Sequence, residues 1–283
     1  MKNEFVSDAK KMHRNYFVTK SVEAYGSQHP MGSSSTQFSE NVSVSVENDT
    51  SGNVVAKILK TNFRKNGRRS FDNPLEHYFI KSADMMSRLT FKLSTEGRIE
   101  SVLNRKDIVK NWENIKVYLD RTFVSDDSEI LAIIHNCTSQ IEKIVNDEKL
   151  FLDAINRDWL FDRMFYGYWV DYGESGTLFQ NHLCPLLLGE AKVVLMEELH
   201  VSELQEKKQI LFNGNLSEQF SDMESINRYF FEKGLSMDGL SVTLVGDSLV
   251  DEAGLLEHLN TKVSVQLADA SFKKEISLMV KMV

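Results

Sequence analysis

A serine becomes a nucleophile only when a base takes its proton and nearby N–H donors receive the oxyanion. One stretch has the local form such a serine needs. Val242-Thr243-Leu244-Val245 is apolar and β-prone, and Gly246-Asp247-Ser248-Leu249-Val250-Asp251 follows it. Two other groupings carry ionisable side chains at close spacing. Glu197-Glu198-x-His200 offers two carboxylates and an imidazole, a conceivable ligand set. Asp153, Asp158 and Asp162 recur beside Arg157 and Arg163, and at helical spacing they read as a solvated face with local ion pairs. The seven histidines, at 13, 29, 77, 135, 182, 200 and 258, make no His-x-x-x-His pair and no Cys/His cluster with zinc spacing. No Walker loop or dinucleotide fingerprint is present. Neither a metal nor a cofactor is expected.

Residues 242–251 resemble the first block of the GDSL-type esterases. The resemblance implies Ser248 as nucleophile, with a catalytic histidine in a downstream Asp-x-x-His block of a long α/β domain. The chain departs from that pattern. Only 35 residues follow Ser248, none of them forms Asp-x-x-His, and His258 is the sole histidine among them. Read from its own residues, the stretch is a strand over 241–245, a Gly-Asp turn and a second strand.

The elements that must position any site centre on residues 126–173. Asp127 or Ser128 can cap a helix. Ile130, Ile134, Cys137, Ile141, Ile144 and Val145 then give one apolar stripe. Asp147-Glu148 opens a second helix with Leu152, Ile155, Trp159 and Leu160 on its buried side. Beyond it crowd Phe161, Phe165, Tyr166, Tyr168, Trp169 and Tyr172, before Gly173-Glu174-Ser175-Gly176 ends the helical region. Such aromatics anchor a core, line an apolar pocket or make a binding surface. Trp159, Phe165, Tyr168, Trp169 and Tyr172 are therefore the candidate contacts for a ligand or partner.

Strands flank this centre. Residues 14–24 read as a strand, 26–36 as a loop, and 38–47 as a strand in which Val42, Val44 and Val46 alternate with Ser43, Ser45 and Glu47. Residues 54–63 complete a hairpin. The Asn66-Gly67 pair makes a turn, and with Lys57, Lys60, Arg64, Lys65, Arg68 and Arg69 it forms a basic run in an acidic chain. Arg64, Lys65, Arg68 and Arg69 are candidate contacts for an acidic partner or a phosphate. Asp72-Asn73-Pro74 starts a helix, residues 89–103 form a hairpin, and Asn104 caps a helix carrying Ile108, Trp112, Ile115 and Leu119. In the back third, residues 191–201, 206–212, 241–245, 255–267 and 272–282 read as strands. Asn213-Gly214-Asn215 reads as a turn, and 217–233 is open between helix and strand.

Strands, then helices, then strands predict an α+β fold, an antiparallel sheet packed on a central helical segment. One domain over 1–283 is expected, with a division into 1–173 and 174–283 left open. The net charge of −8 argues against a nucleic-acid binder. No run reaches the ~18 apolar residues of a membrane span. The N-terminal residues lack a hydrophobic signal core. Of the two cysteines, Cys137 sits on the apolar stripe and reads as a buried thiol, pointing to a reducing, cytoplasmic setting. Lacking a coherent catalytic set, the chain reads as a non-enzymatic protein-binding adaptor or assembly subunit, with self-association among its options. The alternative is a carrier of an apolar small molecule or lipid, and the remote one is an ester hydrolase built on Ser248.

Overall fold

The computed structural model describes residues 12–26, 33–67, 74–122, 128–165, 170–184, 187–204, 207–251 and 254–283. Asp127, Arg68, Arg69, Tyr166, Tyr168 and Trp169 lie outside the described residues.

Eleven strands form one antiparallel sheet. The first five are β1 (Met12–Gly26), β2 (Ser33–Asn48), β3 (Val54–Lys65), β4 (Arg88–Leu93) and β5 (Ile99–Val102). The other six are β6 (Thr177–Leu183), β7 (Val194–Leu204), β8 (Lys207–Leu216), β9 (Ser241–Val250), β10 (Leu256–Gln266) and β11 (Phe272–Met282). Their order is β5-β4-β3-β2-β1-β11-β10-β9-β8-β7-β6. The chain thus walks outward from β1 to one edge, crosses to the other edge, and walks back until β11 pairs with β1. The first and last strands, β1 and β11, sit at the middle of the sheet. The strand-rich front and back portions share a single sheet.

Helices make the crossing from β5 to β6. They are α2 (Arg105–Thr122), α3 (Ser128–Asn146), α4 (Glu148–Asn156) and α5 (Trp159–Phe165). α1 (Pro74–Ala83) precedes β4, and α6 (Met223–Phe231) lies between β8 and β9. On α3 the predicted stripe meets the core: Val145 is fully buried, and Ile134, Cys137, Ile141 and Ile144 pack against it. Where one helix was expected after Asp147, there are two. The Asp147 carboxylate accepts the Leu150 N–H at 2.9 Å and starts α4. Arg157 ends it, and Asp158 Oδ1 accepts the Leu160 N–H at 2.9 Å to start α5. Each cap satisfies a backbone donor that a helix start leaves unpaired.

α5 shows how strongly the sheet curls. This helix is about 10 Å long. At one side its Phe161 and Phe165 meet Phe91 of β4, with ring centroids 5.3 and 6.4 Å apart. At the other, Arg163 Nη1 lies 2.7 Å from Glu197 of β7. Eight strand spacings separate β4 from β7 in the sheet order, roughly 38 Å if the sheet were flat. One short helix reaches both only because the sheet bends its edges toward each other. Asn156 Nδ2 of α4 also donates to Ile99 O of β5 at 3.4 Å. Seven residues gain little from helix hydrogen bonds alone; α5 is held by burial of Leu160, Phe161, Arg163, Met164 and Phe165.

Several local readings are corrected by pairing. The loop expected over 26–36 is shorter, because Ser33–Thr36 pair with Val22–Tyr25. Asn213-Gly214-Asn215 is strand, paired with β7 on one side and β9 on the other; two ladders outweigh a local turn preference. The strand from Ser241 continues through Gly246-Asp247-Ser248 to Val250, and beyond it the Gly254 N–H donates to Asp251 O at 2.9 Å. Residues 223–231 are helical, begun by an Asp222 cap on the Ser225 N–H at 3.0 Å. Cys137 is half-buried, and Cys184 is the enclosed thiol.

Candidate functional site

At Gly246 the backbone of β10 leaves no room for a side chain. A Cβ there would stand 2.5 Å from Asn260 O and 2.8 Å from Thr261 Cα, both backbone atoms. The glycine is thus required by strand contact. Ser248 follows at strand spacing, paired with Ile210 and Leu259, and is completely buried. Its hydroxyl has no hydrogen-bond partner among the described residues. His258 Nε2 lies 4.0 Å from Asp247 Oδ2 instead. Fully buried and without a base beside it among the described residues, Ser248 lacks the setting of a nucleophile.

The chemistry gathers at α5 and β6. Trp159 Nε1 donates to His182 Nε2 at 3.0 Å. That bond makes Nε2 an acceptor and places the ring proton on Nδ1. Nδ1 faces Asp162 Oδ2 at 3.4 Å. Arg163 stands on the other side of Asp162, Nε to Oδ2 3.7 Å, and its Nη1 contacts Glu197 Oε1. Glu197 Oε2 accepts from Gln180 Nε2 at 2.8 Å. Arg163 also lies over the Phe212 ring, 5.1 Å from its centroid. Tryptophan, histidine, two acids, an arginine and an amide thus form one chain through the interior.

Burial sets the charges along it. Burial first, then the Arg163 guanidinium, push His182 well below the ordinary histidine value, so the imidazole is neutral. Burial raises the Asp162 acid, with Arg163 pulling the other way. Burial also opposes the Arg163 charge, but the Glu197 and Asp162 carboxylates outweigh it and raise the arginine's pKa. Two residues after His182, the Cys184 thiol is pushed up to about 12 by burial, against Arg163. A thiol held protonated is a poor nucleophile.

Trp159 separates two cavities. The larger, about 490 Å³, lies between α3–α5 and the β1 and β10 strands, with Ile144, Leu150, Leu187 and Val263 among its walls. Lys20, Asp153, Arg157 and Asp158 supply its polar edge. The smaller, about 240 Å³, is walled by Arg98, Asn156, Asp162, Gln180, Asn181 and His182. Trp159, Asp153 and Arg157 border both.

Of the described aromatic and basic residues named from the sequence as ligand or partner contacts, Trp159 alone borders these cavities. Phe165 is buried against Phe91, and Tyr172 packs half-buried on the core. Lys65 pairs with Glu76 of α1, Lys57 with Glu47, and Arg64 is exposed. Lys60 faces inward, 3.6 Å from Glu40 and 4.4 Å from the Phe161 ring centroid. The basic run is therefore split between interior and surface. Glu197 points inward while Glu198 and His200 are exposed, because successive strand residues face opposite ways. His182, Arg163 and Glu197 were missed as a set. Asp162 and Arg163 were read as a wet helical face, and only the inward alternation of β6 and β7 could have signalled otherwise.

No family model and no curated protein matches the chain. Among solved structures, one described as lipid–protein interactions in lipovitellin is similar over 97% of this chain, with 8% identity and a TM-score of 0.46. The chain spans about a quarter of that one's length, 25%. No helix among the described residues is long and apolar enough to cross a membrane.

Proposed function

We propose that the protein binds an amphiphilic small molecule, a lipid or lipid-like metabolite, and carries it inside the curled sheet. The cavity of about 490 Å³ beside Trp159 carries this reading. Its volume lies within the ~300–1,000 Å³ of small-molecule sites, and its walls are mainly apolar with a few charged groups at the edge. In this reading the central helical segment closes the sheet and forms the site's roof, and Trp159 is its main aromatic wall. The two free thiols fit a reducing, cytoplasmic setting.

Titration with an environment-sensitive fluorescent fatty probe tests the proposal. Saturable binding near one probe per chain is expected. Ala154 is exposed on the cavity wall, so Ala154→Trp should fill the space and abolish binding while leaving the denaturation midpoint unchanged. Absence of binding up to the probe's solubility limit, with no lipid retained in native mass spectra, rejects the carrier.

An adaptor role is the second reading. Phe79, Val117, Tyr118, Leu131 and Ile133 of α1–α3 are large apolar side chains left exposed, and Arg64, Lys65, Arg68 and Arg69 would serve as basic contacts. A stoichiometric protein partner, retained without any small molecule and lost on Val117→Asp with Ile133→Asp, would favour it.

A further inference from the structure

The smaller cavity sits where the edge strands β5 and β6 face each other across α4 and α5. Arg98 precedes β5, Gln180, Asn181 and His182 belong to β6, and Asn156 and Asp162 come from the helices between. Trp159 is the wall it shares with the apolar cavity, and the bond to His182 holds that ring in place.

We propose that this seam cavity holds the uncharged, hydroxyl-bearing head group of the ligand whose apolar part fills the larger cavity; this rests on the carrier reading above. Its walls carry both signs of charge, Arg98 and Arg157 against Asp153 and Asp162. A free carboxylate or phosphate entering it meets two acids. An ammonium meets two guanidiniums. Burying either beside like charge is costly. A hydroxyl both donates and accepts, so both kinds of wall satisfy it. Asn181 adds an amide that can do the same, and no described residue pairs with the side chain of Arg157 or Asp153. His182 adds no charge, since its Nε2 is occupied by the Trp159 N–H and its Nδ1 faces Asp162. The larger cavity borders the same Trp159, Asp153 and Arg157, which places a hydrocarbon and a hydroxylated head on adjoining sides of one residue set. A glycerol ester and a sugar ether both present that head.

The test is displacement of the fluorescent fatty probe from the full chain by three ligands of one chain length: a monoacylglycerol, the free fatty acid and the primary alkylamine. The glyceryl ester should bind about tenfold more tightly than either, the worth of one or two hydrogen bonds. Asn181 is exposed and borders the smaller cavity but not the larger, so Asn181→Leu should fold normally. In that variant the preference should fall close to one while probe binding persists. A fatty acid or amine that binds as well as the ester, or a preference unmoved in the variant, overturns the head-group assignment and leaves the carrier standing. Failure of the probe itself to bind overturns both. An alkyl glucoside of equal chain length run alongside distinguishes the two sources of hydroxyls.

Discussion

The β9 segment around Ser248 and the seam between α5 and β6 invert what their sequences advertise. The first carries a Gly-Asp-Ser motif and is plain strand, its glycine demanded by a neighbouring backbone and its serine sealed in apolar surroundings. The second carries no motif, yet gathers half-buried Trp159 and Asp162 with buried His182, Arg163 and Glu197 into one polar chain. A motif records local residue order, whereas polar chemistry needs side chains converging from separate elements. Residues of α5, β6 and β7 converge because the sheet curls.

The largest effect expected from breaking the seam comes from Arg163→Met. It leaves the wholly buried Glu197 without its cation and should cost about 3–5 kcal/mol in urea denaturation. Adding Glu197→Leu should recover most of that loss, because an apolar pair of similar volume replaces a buried ion pair at little cost. A single variant as stable as the parent would show that the seam network is not buried as described.

On the β9 side, Gly246→Ala should cost about 1–3 kcal/mol, since its Cβ must push aside backbone that cannot yield easily. Were Gly246 an open position at negative φ, the same change would be nearly neutral, so the denaturation midpoint decides.

The pH profile sharpens the contrast further. His182 is held neutral in the fold, below its ordinary value of 6.5. As pH falls under that value the unfolded chain takes up a proton that the folded chain refuses. Stability is therefore whole above it and declines toward the folded value, by at most about 1.4 kcal/mol per pH unit. Asp162 acts in the opposite sense, its raised acid favouring the fold at low pH and losing that advantage as pH rises. His182→Gln keeps an acceptor for Trp159 and should flatten the acid-side slope; an unchanged slope would mean that His182 titrates normally.

The smallest effect belongs to Ser248→Ala. Removing a buried hydroxyl that has no partner should change stability by no more than about 1 kcal/mol, toward greater stability. Any ester hydrolysis by the preparation should be indifferent to it.

Much of the strand pattern was legible in the residues. The Val42, Val44, Val46 alternation and the 272–282 strand lie where period two placed them. So does the Asn66-Gly67 turn, both residues of which have positive φ. Strand ends were less legible at Gly214 and Gly246, where a ladder on each side overrides turn-forming residues. Within the aromatic run after Asp147 the residues part ways: Trp159 borders the cavities and Phe165 went to the core.

By itself the sequence determined periodicity and the helix starts at Asp147 and after Asn104, because these depend on neighbours within a few residues; the Asn104 side chain, read as a cap, instead accepts from the Thr90 N–H and donates to Arg88 O of β4. Only the tertiary structure decided that β1 pairs with β11, that one short helix reaches both β4 and β7, and that Arg163 is buried and Asp162 half-buried beside it. Charge, burial and protonation at the seam follow from contacts between residues far apart in the chain, and no local spacing encodes them.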